Sequence, residues 1–396
     1  MPLRIAHVTN EPFGLQTANG VQHAVYCLAR AEAQVGESVA VFSRDDHAVH
    51  VVSDAAEPPR RHHLRGDRAG GSVREWLLSR QFERSLADDI LAWAPDIVHF
   101  HSVHIAQNVA LARFLRRAGV PYCVTVHGAL FRSALRRRRL KKAVFSLLFE
   151  RDYLNGAHFI HALSTCEGEA LREYGVKRPL VVVPNGLPPG TDVRPSQPDA
   201  LYMRCPWLRD RQVFMFIGRL DVWQKGLDLL IQAFARARVR NAALVLIGPD
   251  YRGSQRALRT LAERLRILSD VLFLEPVFGE DRANMLAAAD VFVHPSRWEG
   301  VSLSVLTAAA AGKACVITRA ADPLGQLEQQ HAAVIVHADV SNIAQGLTRA
   351  TALGSDGLRE MGIRARNVAA AYPSWESIAG SMVTEIRNVL ATPRYQ

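Results

Sequence analysis

Cysteine is scarce in this chain: only five of its 396 residues are cysteine, and none belongs to a Cys-x-x-Cys pair. An odd number of scattered cysteines indicates a reducing compartment. Long apolar runs are also missing, since Arg, Lys or Glu interrupts each one before the roughly 20 residues that a membrane-spanning helix needs. Arg4 and His7 break the first apolar run, and no small-residue cleavage site follows. We therefore expect a protein that is not exported, does not span a bilayer and is cytoplasmic.

Motifs that define several other enzyme classes are absent. The sequence has no G-x-G-x-x-G, which disfavours a dinucleotide dehydrogenase, and no D-x-D pair that could hold a divalent cation on a diphosphate. His99, His101 and His104 lie close together in sequence, but no cysteine or carboxylate stands at ligand spacing. Alternate strand positions would place the first two on one side by geometry alone. We therefore expect no metal.

The bulk composition describes a globular protein that is too long for one hydrophobic core. A chain of 396 residues suits two domains, and 48% hydrophobic with 22% charged residues is typical of a soluble fold. The formal net charge of +10 favours an anionic partner. The positive net charge does not distinguish among three such partners: a nucleotide, a phospholipid surface and nucleic acid.

Short β-branched segments alternate with helix-period segments, which predicts two α/β domains built on doubly wound parallel sheets. The alternation lapses between residues 186 and 206, where Pro, Gly and polar residues crowd together. We place the domains at 1–190 and 191–373, with a helix at 374–396 that begins at an N-cap and can change direction after a proline. Ligands of doubly wound sheets bind at the carboxyl ends of strands, so the cleft between the domains is the expected site.

Two cations follow the strand QVFMFIG of the second domain, namely Arg219 and Lys225. In this position they are suited to hold a diphosphate and to neutralise the charge that grows on it as it leaves. The alternative is that both are solvated loop charges. Their neighbours in the sequence favour the first interpretation.

A second loop of this domain carries Glu299 and Gly300 between the strand VFVHPS and a helix predicted to start near Val301. Gly300 would let the backbone approach a ligand, and the first helical amides, from Val301 through Ser302 to Leu303, would form an anion site. Glu299 could bind sugar hydroxyls. Alternatively, its carboxylate simply stabilises the start of the helix.

The first domain offers two weaker candidates. Asn19 and Gly20 precede a helix, where glycine would permit close contact with a phosphate or an acceptor, although a plain turn explains it equally. His127 and Gly128 close the strand CVTVH. His127 could donate a hydrogen bond to a sugar hydroxyl or stabilise developing charge, or its neighbours could simply satisfy it.

A basic segment between residues 132 and 142 overlaps the start of a helix predicted near residues 136–155. Its cations stand without an acidic residue among them and precede the apolar run AVFSLLF. They are Arg132, Arg136, Arg137, Arg138, Arg139, Lys141 and Lys142. The pattern suits an amphipathic helix on an anionic leaflet, or a solvated face with a buried apolar side. We expect no nucleic-acid partner, because no RNA-binding aromatic motif or helix-turn-helix signal is nearby.

Ordered motifs along essentially the whole chain resemble glycosyltransferase family 4. They are NGVQHAV, TVHG, VVVPNG, GRL with QKGLDLLIQAF, PSRWEG and SWESIA. The resemblance implies the GT-B fold, in which two Rossmann-like domains face each other across a cleft and the C-terminal helix returns to the first. It also implies that the first domain is the acceptor side and that the second binds a nucleotide-sugar donor.

The resemblance assigns roles to the candidate residues. Arg219 and Lys225 would grip the donor diphosphate, and the helix after Gly300 would add backbone amides. Glu299 matches the first glutamate of the family's E-x7-E motif, which contacts the donor sugar, and His127 matches the histidine beside the transferred sugar. These two would be the catalytic-site residues.

Two positions depart from the family pattern. Asn19 and Gly20 fall where the family often has a glycine pair, so the first glycine has been replaced. Thr307 stands where the second glutamate, the usual ribose ligand, is expected. Threonine can still donate one hydrogen bond but cannot make a charged bidentate contact, which bears on donor affinity.

The resemblance further implies a retaining, metal-independent transferase with a nucleotide-diphosphate sugar as co-substrate and no cofactor. The acceptor would attack from the leaving-group face, so no enzymic nucleophile is required. A glycan or lipid-linked acceptor in bacterial surface polysaccharide or lipopolysaccharide assembly is the preferred setting, at the inner face of the membrane. One alternative is a catalytically silent GT-B scaffold, given Thr307. Another is epimerisation or phosphorolysis, although Lys225 and Lys313 are better explained otherwise than as a Schiff-base lysine.

Overall fold

The computed structural model describes residues 1–10, 13–14, 19–44, 48–52, 60–63, 84–136, 139–187, 195–197 and 199–392. The chain divides into two compact units, one formed by Met1–Gly186 with Pro373–Gln396 and the other by Leu187–Tyr372. Each unit is an α/β fold around a sheet of its own. The predicted fold class is confirmed.

Within the described ranges, the sheet of the first unit has eight strands in the order β4-β3-β2-β1-β5-β6-β7-β8. They are β1 (Arg4–Thr9), β2 (Ser38–Ser43), β3 (Ala48–Val52), β4 (Arg60–His63), β5 (Ile97–His101), β6 (Tyr122–Thr125), β7 (Phe159–Ala162) and β8 (Leu180–Val182).

The sheet of the first unit is parallel except at one edge, where β3 pairs antiparallel with both β2 and β4. Residues 44–47 alone connect β2 to β3. So short a connection allows only an antiparallel return, because a parallel one needs a crossover of a dozen or more residues. The segment AVHVV alternates in burial, as a half-buried strand does.

The helices of the first unit cover both faces of its sheet. Those before the domain boundary are α1 (Gly20–Gln34), α2 (84–93), α3 (Ala106–Arg117), α4 (Arg132–Leu135), α5 (Arg139–Phe145), a π-helical turn (Ser146–Glu150), α6 (Arg151–Gly156) and α7 (Thr165–Tyr174). The single basic helix predicted near 136–155 is confirmed over its described part, because helical structure runs without a break from Arg139 to Gly156 and only the π-helical turn interrupts its α-helical hydrogen bonding. Residues 137–138 lie outside the described residues.

The second unit has a six-stranded sheet in the order β11-β10-β9-β12-β13-β14, and its pairings are all parallel in the described chain. Its strands are β9 (Gln212–Ile217), β10 (Ala242–Ile247), β11 (Val271–Leu274), β12 (Val291–His294), β13 (Ala314–Thr318) and β14 (Ala333–Val336). The main strands are continuous apolar runs because helices bury both faces.

The helices of the second unit are α8 (Ala200–Arg204), α9 (Leu227–Ala237), α10 (Ser254–Arg264), α11 (Gly279–Ala287), α12 (Leu303–Ala310), α13 (Gln326–Gln329), α14 (Val340–Ala352) and α15 (Gly354–Ala370). The last helix of the chain, α16 (Trp375–Ala391), belongs to the first unit. No helix in the described ranges is both long enough and apolar enough to cross a membrane.

The predicted return of the C-terminal helix to the first sheet is confirmed. Ser374 caps α16 by accepting a hydrogen bond from the Ser377 amide, as its N-cap pattern predicts. The buried face of the helix then packs with Ile5 of β1 and Ile97 of β5 in one apolar cluster. Burial of this stripe fixes the helix against the sheet.

Two glycines within helices offer a matched test of packing. A Cβ added to Gly362 of α15 would lie 2.0 Å from the carbonyl oxygen of Gly312, whereas one added to Gly380 of α16 would meet nothing within 4 Å. We expect Gly362→Ala to lower the free energy of unfolding by about 1–3 kcal/mol through overpacking. Gly380→Ala should raise it by up to about 1 kcal/mol, because alanine is the better helix former. Denaturant unfolding measures both, and equal effects would contradict the close approach at Gly362.

Candidate donor-binding site

The strand order of the second unit reverses between β9 and β12. From β9 the chain proceeds outward to β10 and β11, and from β12 it proceeds outward in the other direction. A crevice opens at the carboxyl ends of two strands where the order reverses in this way, and ligands of doubly wound sheets bind there. Arg219 and Lys225 follow β9, and Glu299 follows β12, so these predicted residues flank the reversal point.

Lys225 and Glu299 form a nearly buried ion pair at this edge. Lys225 Nζ lies 2.7 Å from Glu299 Oε1, and the side chains are 15% and 8% exposed. The same oxygen accepts hydrogen bonds from Ser296 Oγ at 2.6 Å and from His294 Nε2 at 3.0 Å. Glu299 is thus the centre of a polar cluster inside an apolar unit.

The cluster keeps Glu299 ionised. Burial by itself raises the pKa of Glu299, but the charge of Lys225 and the hydrogen bond from His294 outweigh it, and the pKa lies well below its usual range. Burial lowers the pKa of His294, so this ring is a neutral donor to the carboxylate. The arrangement holds one anion and one cation at a fixed distance.

Close contact between two loops brings Lys225 and Glu299 together. Gly226 precedes α9 with φ +65°, and a Cβ there would lie 2.2 Å from the Pro295 carbonyl oxygen. Arg297 binds both carboxylate oxygens of Asp228, at 2.8 and 2.7 Å. The glycine permits the approach, and the bidentate pair holds the loops in place.

Arg219 is held differently from Lys225. Its Nη2 donates to Gln224 Oε1 at 2.9 Å, and its guanidinium lies 4.3 Å from the centre of the Tyr251 ring. Within the described part of the chain, its buried Nε has no hydrogen-bond partner. A guanidinium that is fixed by neighbours and keeps a donor unused is suited to an anionic ligand.

Helix α12 begins later than predicted. It starts at Leu303 with Ser302 as its N-cap, so Gly300 and Val301 lie in the loop before it. The helix start predicted near Val301 is therefore wrong. The hydroxyl of Ser302 lies 3.1 Å from His294 Nε2, in the same cluster as Glu299. The free amides of the first helical turn still lie beside this cluster.

Thr307 lies within α12 and is buried. Its hydroxyl donates to the Leu303 carbonyl at 2.8 Å, one turn earlier. The one hydrogen bond that threonine can donate is thus used inside the helix, although its oxygen can still accept.

The candidates of the first unit differ in their surroundings. His127 follows β6 with φ +51°, next to Gly128 with φ +76°. A histidine in the left-handed region is uncommon and concentrates at functional sites. Asn19 is the N-cap of α1, its side chain accepting from the Val21 amide, and a Cβ on Gly20 would meet nothing within 4 Å. Their local geometry is that of an ordinary helix start.

The three neighbouring histidines separate in the structure. His99 and His101 lie on the same side of β5, as their spacing predicts, with ring centres 4.3 Å apart. His104 instead contacts Glu150, at 2.6 Å between Nδ1 and Oε2. The sequence analysis missed His7 of β1, whose ring nitrogen lies within 4.8 Å of nitrogens of His99 and His101. Its position two residues before the end of a predicted strand was the available signal.

The basic segment exposes apolar side chains alongside its cations. Arg132, Arg136 and Arg139 are exposed, and Lys142 is half-buried, while the side chains of Arg137, Arg138 and Lys141 lie outside the described residues. The apolar side chains are Leu140, Val144, Leu147 and Leu148, which are 82%, 58%, 70% and 57% exposed. Phe145 and Phe149 of the same segment pack against the core, so its apolar side is buried in part and these four side chains remain exposed.

Sequence reasoning also missed the residues that hold Glu299. His294 ends β12 and Ser296 follows two residues later, so both stand in the motif that contains Glu299. Their closeness in sequence to Glu299 was a usable signal. Gln224, the partner of Arg219, was not predictable because the contact depends on the conformation of the loop.

Comparison with known proteins agrees with this geometry. Residues 19–186 match the family described as "Glycosyl transferase 4-like domain", and residues 211–352 match "Glycosyl transferases group 1". A sucrose-phosphate synthase from Thermosynechococcus elongatus has a similar structure, with a TM-score of 0.79 over 98% of this chain and 99% of that one, at 20% identity. The fold is that of the GT-B glycosyltransferases. The chain belongs to glycosyltransferase family 4.

Two curated relatives from Escherichia coli are similar over part of their length. UDP-Gal:alpha-D-GlcNAc-diphosphoundecaprenol alpha-1,3-galactosyltransferase is 29% identical over 241 residues, 56% of this chain and 57% of the relative. Lipopolysaccharide glucosyltransferase WaaG is 27% identical over 136 residues, 33% of this chain and 35% of the relative. The chain spans about half the length of the first curated relatives that it matches.

Proposed function

We propose that this protein is an active, retaining glycosyltransferase that transfers a sugar from a nucleoside diphosphate donor without a metal ion. The observation that carries the proposal is the Lys225–Glu299 pair at the reversal point between β9 and β12. An ammonium has three N–H donors, so Lys225 can keep Glu299 and still bind a phosphate oxygen. With Arg219 and the first turn of α12, it would stabilise the diphosphate as its charge develops.

Glu299 fits a role in sugar binding better than one as a nucleophile. Oε1 already accepts from Lys225, His294 and Ser296, which lowers its reactivity toward carbon. A carboxylate so placed can orient the donor sugar through its hydroxyls. We propose that the acceptor itself attacks from the face of the leaving group, so that configuration is retained, and that His127 contacts the transferred sugar.

The first expected result is selective donor binding. One or more members of a panel of UDP, GDP and ADP sugars should raise the melting temperature of the protein, because a ligand that binds only the folded state stabilises it. A chelator should leave this shift unchanged, since cations of the chain replace the metal. A flat panel would contradict the proposal and favour the catalytically silent scaffold, for which Thr307 is the specific observation.

We further propose that the acceptor is a glycan or a lipid-linked glycan presented at the cytoplasmic face of a membrane. The galactosyltransferase relative has a diphosphoundecaprenol-linked acceptor in its name. The exposed Leu140 and Leu147, beside exposed Arg136 and Arg139, give the first unit a surface suited to an anionic leaflet. Apolar side chains enter the interface while cations meet anionic headgroups.

Vesicle flotation tests this membrane surface. The protein should float with vesicles that contain anionic phosphatidylglycerol and remain in solution with neutral phosphatidylcholine. The double variant Leu140→Ser with Leu147→Ser should weaken binding at least about tenfold, because each buried leucine is worth about 1.5–3 kcal/mol. Met203→Ser, another exposed apolar position, is the matched control. Equal loss in the control, or binding to oligonucleotides of similar strength, would contradict the proposal.

A further inference from the structure

Four side chains of the first unit form a continuous hydrogen-bonded chain. Glu32 Oε2 lies 2.6 Å from His7 Nε2, His7 Nδ1 lies 2.9 Å from His101 Nε2, and His101 Nδ1 lies 3.1 Å from His127 Nε2. Glu32 and His7 are fully buried, His101 is 2% exposed, and His127 is half-buried. The chain therefore connects a buried carboxylate to the outermost histidine.

The topology of the sheet explains this alignment. The strand order of the first unit reverses between β1 and β5, which carry His7 and His101. His127 follows β6, the neighbour of β5, and Glu32 lies in α1 on the same face. The rings of His7 and His101 stack with centres 5.2 Å apart. The His127 end of the hydrogen-bonded chain thus lies at the carboxyl edge, where a doubly wound sheet receives ligands.

With His101 and His127 neutral, proton counting allows only two polarities, that is, two donor-to-acceptor directions along the hydrogen-bonded chain. Each contact between two ring nitrogens needs one N–H and one lone pair, and an ionised carboxylate only accepts. If His7 is neutral, its proton is on Nε2, where it donates to Glu32. His101 then donates to His7, and His127 donates to His101. This leaves a lone pair at His127 Nδ1. If His7 is an imidazolium, every bond points away from it, and His127 carries its proton on Nδ1.

Several observations favour the second polarity. Glu32 is a fully buried carboxylate whose Oε1 has no hydrogen-bond partner in the described residues. The negative charge of Glu32 is therefore stabilised by His7. A buried carboxylate is costly unless a cation accompanies it. Burial lowers the pKa of His101 well below its usual range and that of His127 to about 3. Those two rings are therefore neutral, and His7 is the one ring of the hydrogen-bonded chain that could accompany Glu32 as a cation.

A neighbouring chain of hydrogen bonds supports a positive charge on His7. His161 Nε2 donates to the Val183 carbonyl at 2.7 Å, so Thr125 must donate to His161 Nδ1 and accept from His99 Nε2. His99 Nδ1 then carries a lone pair, and within the described residues it has no partner. The ring of His99 lies 5.1 Å from that of His7. The unprotonated Nδ1 of His99, beside His7, favours the imidazolium form of His7.

We propose that Glu32 and His7 are positioning residues that fix the tautomer of His127, so that a neutral His127 presents an N–H group at Nδ1. In the described chain this nitrogen has no hydrogen-bond partner of its own. The consequence for catalysis rests on the proposed function: His127 would donate to an oxygen of the transferred sugar without itself carrying charge. Glu32 acts through two intervening rings and need not touch the substrate.

Nitrogen–proton correlation spectra of the full chain with isotope-labelled histidine test the proposal directly. At neutral pH, His7 should be protonated on both nitrogens and His127 on Nδ1 alone, with the His127 signals assigned by His127→Gln. Glu32→Gln removes the carboxylate, so His7 should become neutral and, with the glutamine carbonyl accepting from His7 Nε2–H, His127 should switch to the Nε2–H tautomer. The matched control Glu150→Gln removes another buried carboxylate next to a histidine and should leave His127 unchanged.

The wild-type spectrum decides the proposal even if Glu32→Gln does not fold. A neutral His7, or His127 protonated on Nε2, would overturn it, as would stoichiometric zinc in the purified protein, since a metal held by His7, His99 and His101 would displace the His7–His101 hydrogen bond. With the donor identified, Glu32→Gln should lower kcat about 5–10-fold, the worth of one hydrogen bond, with little change in the donor KM. If the tautomers are as predicted but the protein transfers no sugar, this proposal stands and only the proposed function is contradicted.

Discussion

Lys225→Ala is expected to lower sugar transfer by a factor of about 10²–10³, the usual effect of removing one donor that stabilises developing charge. Lys225 Nζ lies at the reversal point of the second sheet, where it can neutralise the departing diphosphate. Binding of the nucleoside diphosphate alone should weaken about 10–100-fold, since a charged hydrogen bond contributes about 1.5–3 kcal/mol. Turnover and calorimetric binding are measured well below the melting temperature of the variant.

Arg319→Ala is the control for Lys225→Ala. Arg319 belongs to the same unit and pairs with Glu328, but the pair is exposed at 62% and 42%. Exposed pairs of this kind contribute little to stability, and this one has no predicted role in donor binding. Its removal should leave transfer and binding unchanged. Similar losses in the two variants would show that general surface charge, rather than the position of Lys225, determines donor affinity.

Glu299→Ala is expected to lower the free energy of unfolding by about 3–5 kcal/mol at neutral pH, because it leaves Lys225 as a buried charge without its partner. It also removes the acceptor for His294 and Ser296. Denaturant unfolding measures the change. A loss below about 1 kcal/mol would indicate a solvated pair and contradict the buried cluster.

The effect of Glu299→Ala should depend on pH in a defined direction. The pKa of Glu299 is lower in the folded protein than in the unfolded chain, where it is about 4.3. The contribution of Glu299 to the free energy of unfolding is therefore fully present above the pKa of the unfolded chain, and it is lost as the pH falls toward the pKa of the folded protein. The stability difference between wild type and variant should therefore shrink on acidification below about pH 4. A difference that stays constant over this range would show that the carboxylate is not preferentially ionised in the folded state.

The local sequence was sufficient to predict the position of a residue when that position depends only on the strand or helix to which the residue belongs or which it follows. The apolar runs of β9 and β12 predicted buried parallel strands, and the residues that follow them had to lie at the carboxyl edge of the sheet. That rule placed Arg219, Lys225 and Glu299 correctly at one edge. It failed at α12, whose start depends on how the preceding loop is bonded rather than on composition.

The hydrogen-bond partners of the site required the fold. Nothing in the sequence predicts that one oxygen of Glu299 accepts from Lys225, 74 residues away in the chain. Likewise, His7 and His101 come into contact only because β1 and β5 are neighbours in the sheet, although 94 residues separate them.

The sequence by itself determined the α/β class, the family and the edge of the second sheet where the donor is expected. It could do so because the hydrophobic period, the turn residues and the ordered motifs are local properties of the chain. Tertiary structure alone decided which charges are paired, which donors remain unused and how the histidines of the first unit connect. The physical reason is that pairing energies and burial depend on distance in space, and strand order brings together residues that are far apart in the chain.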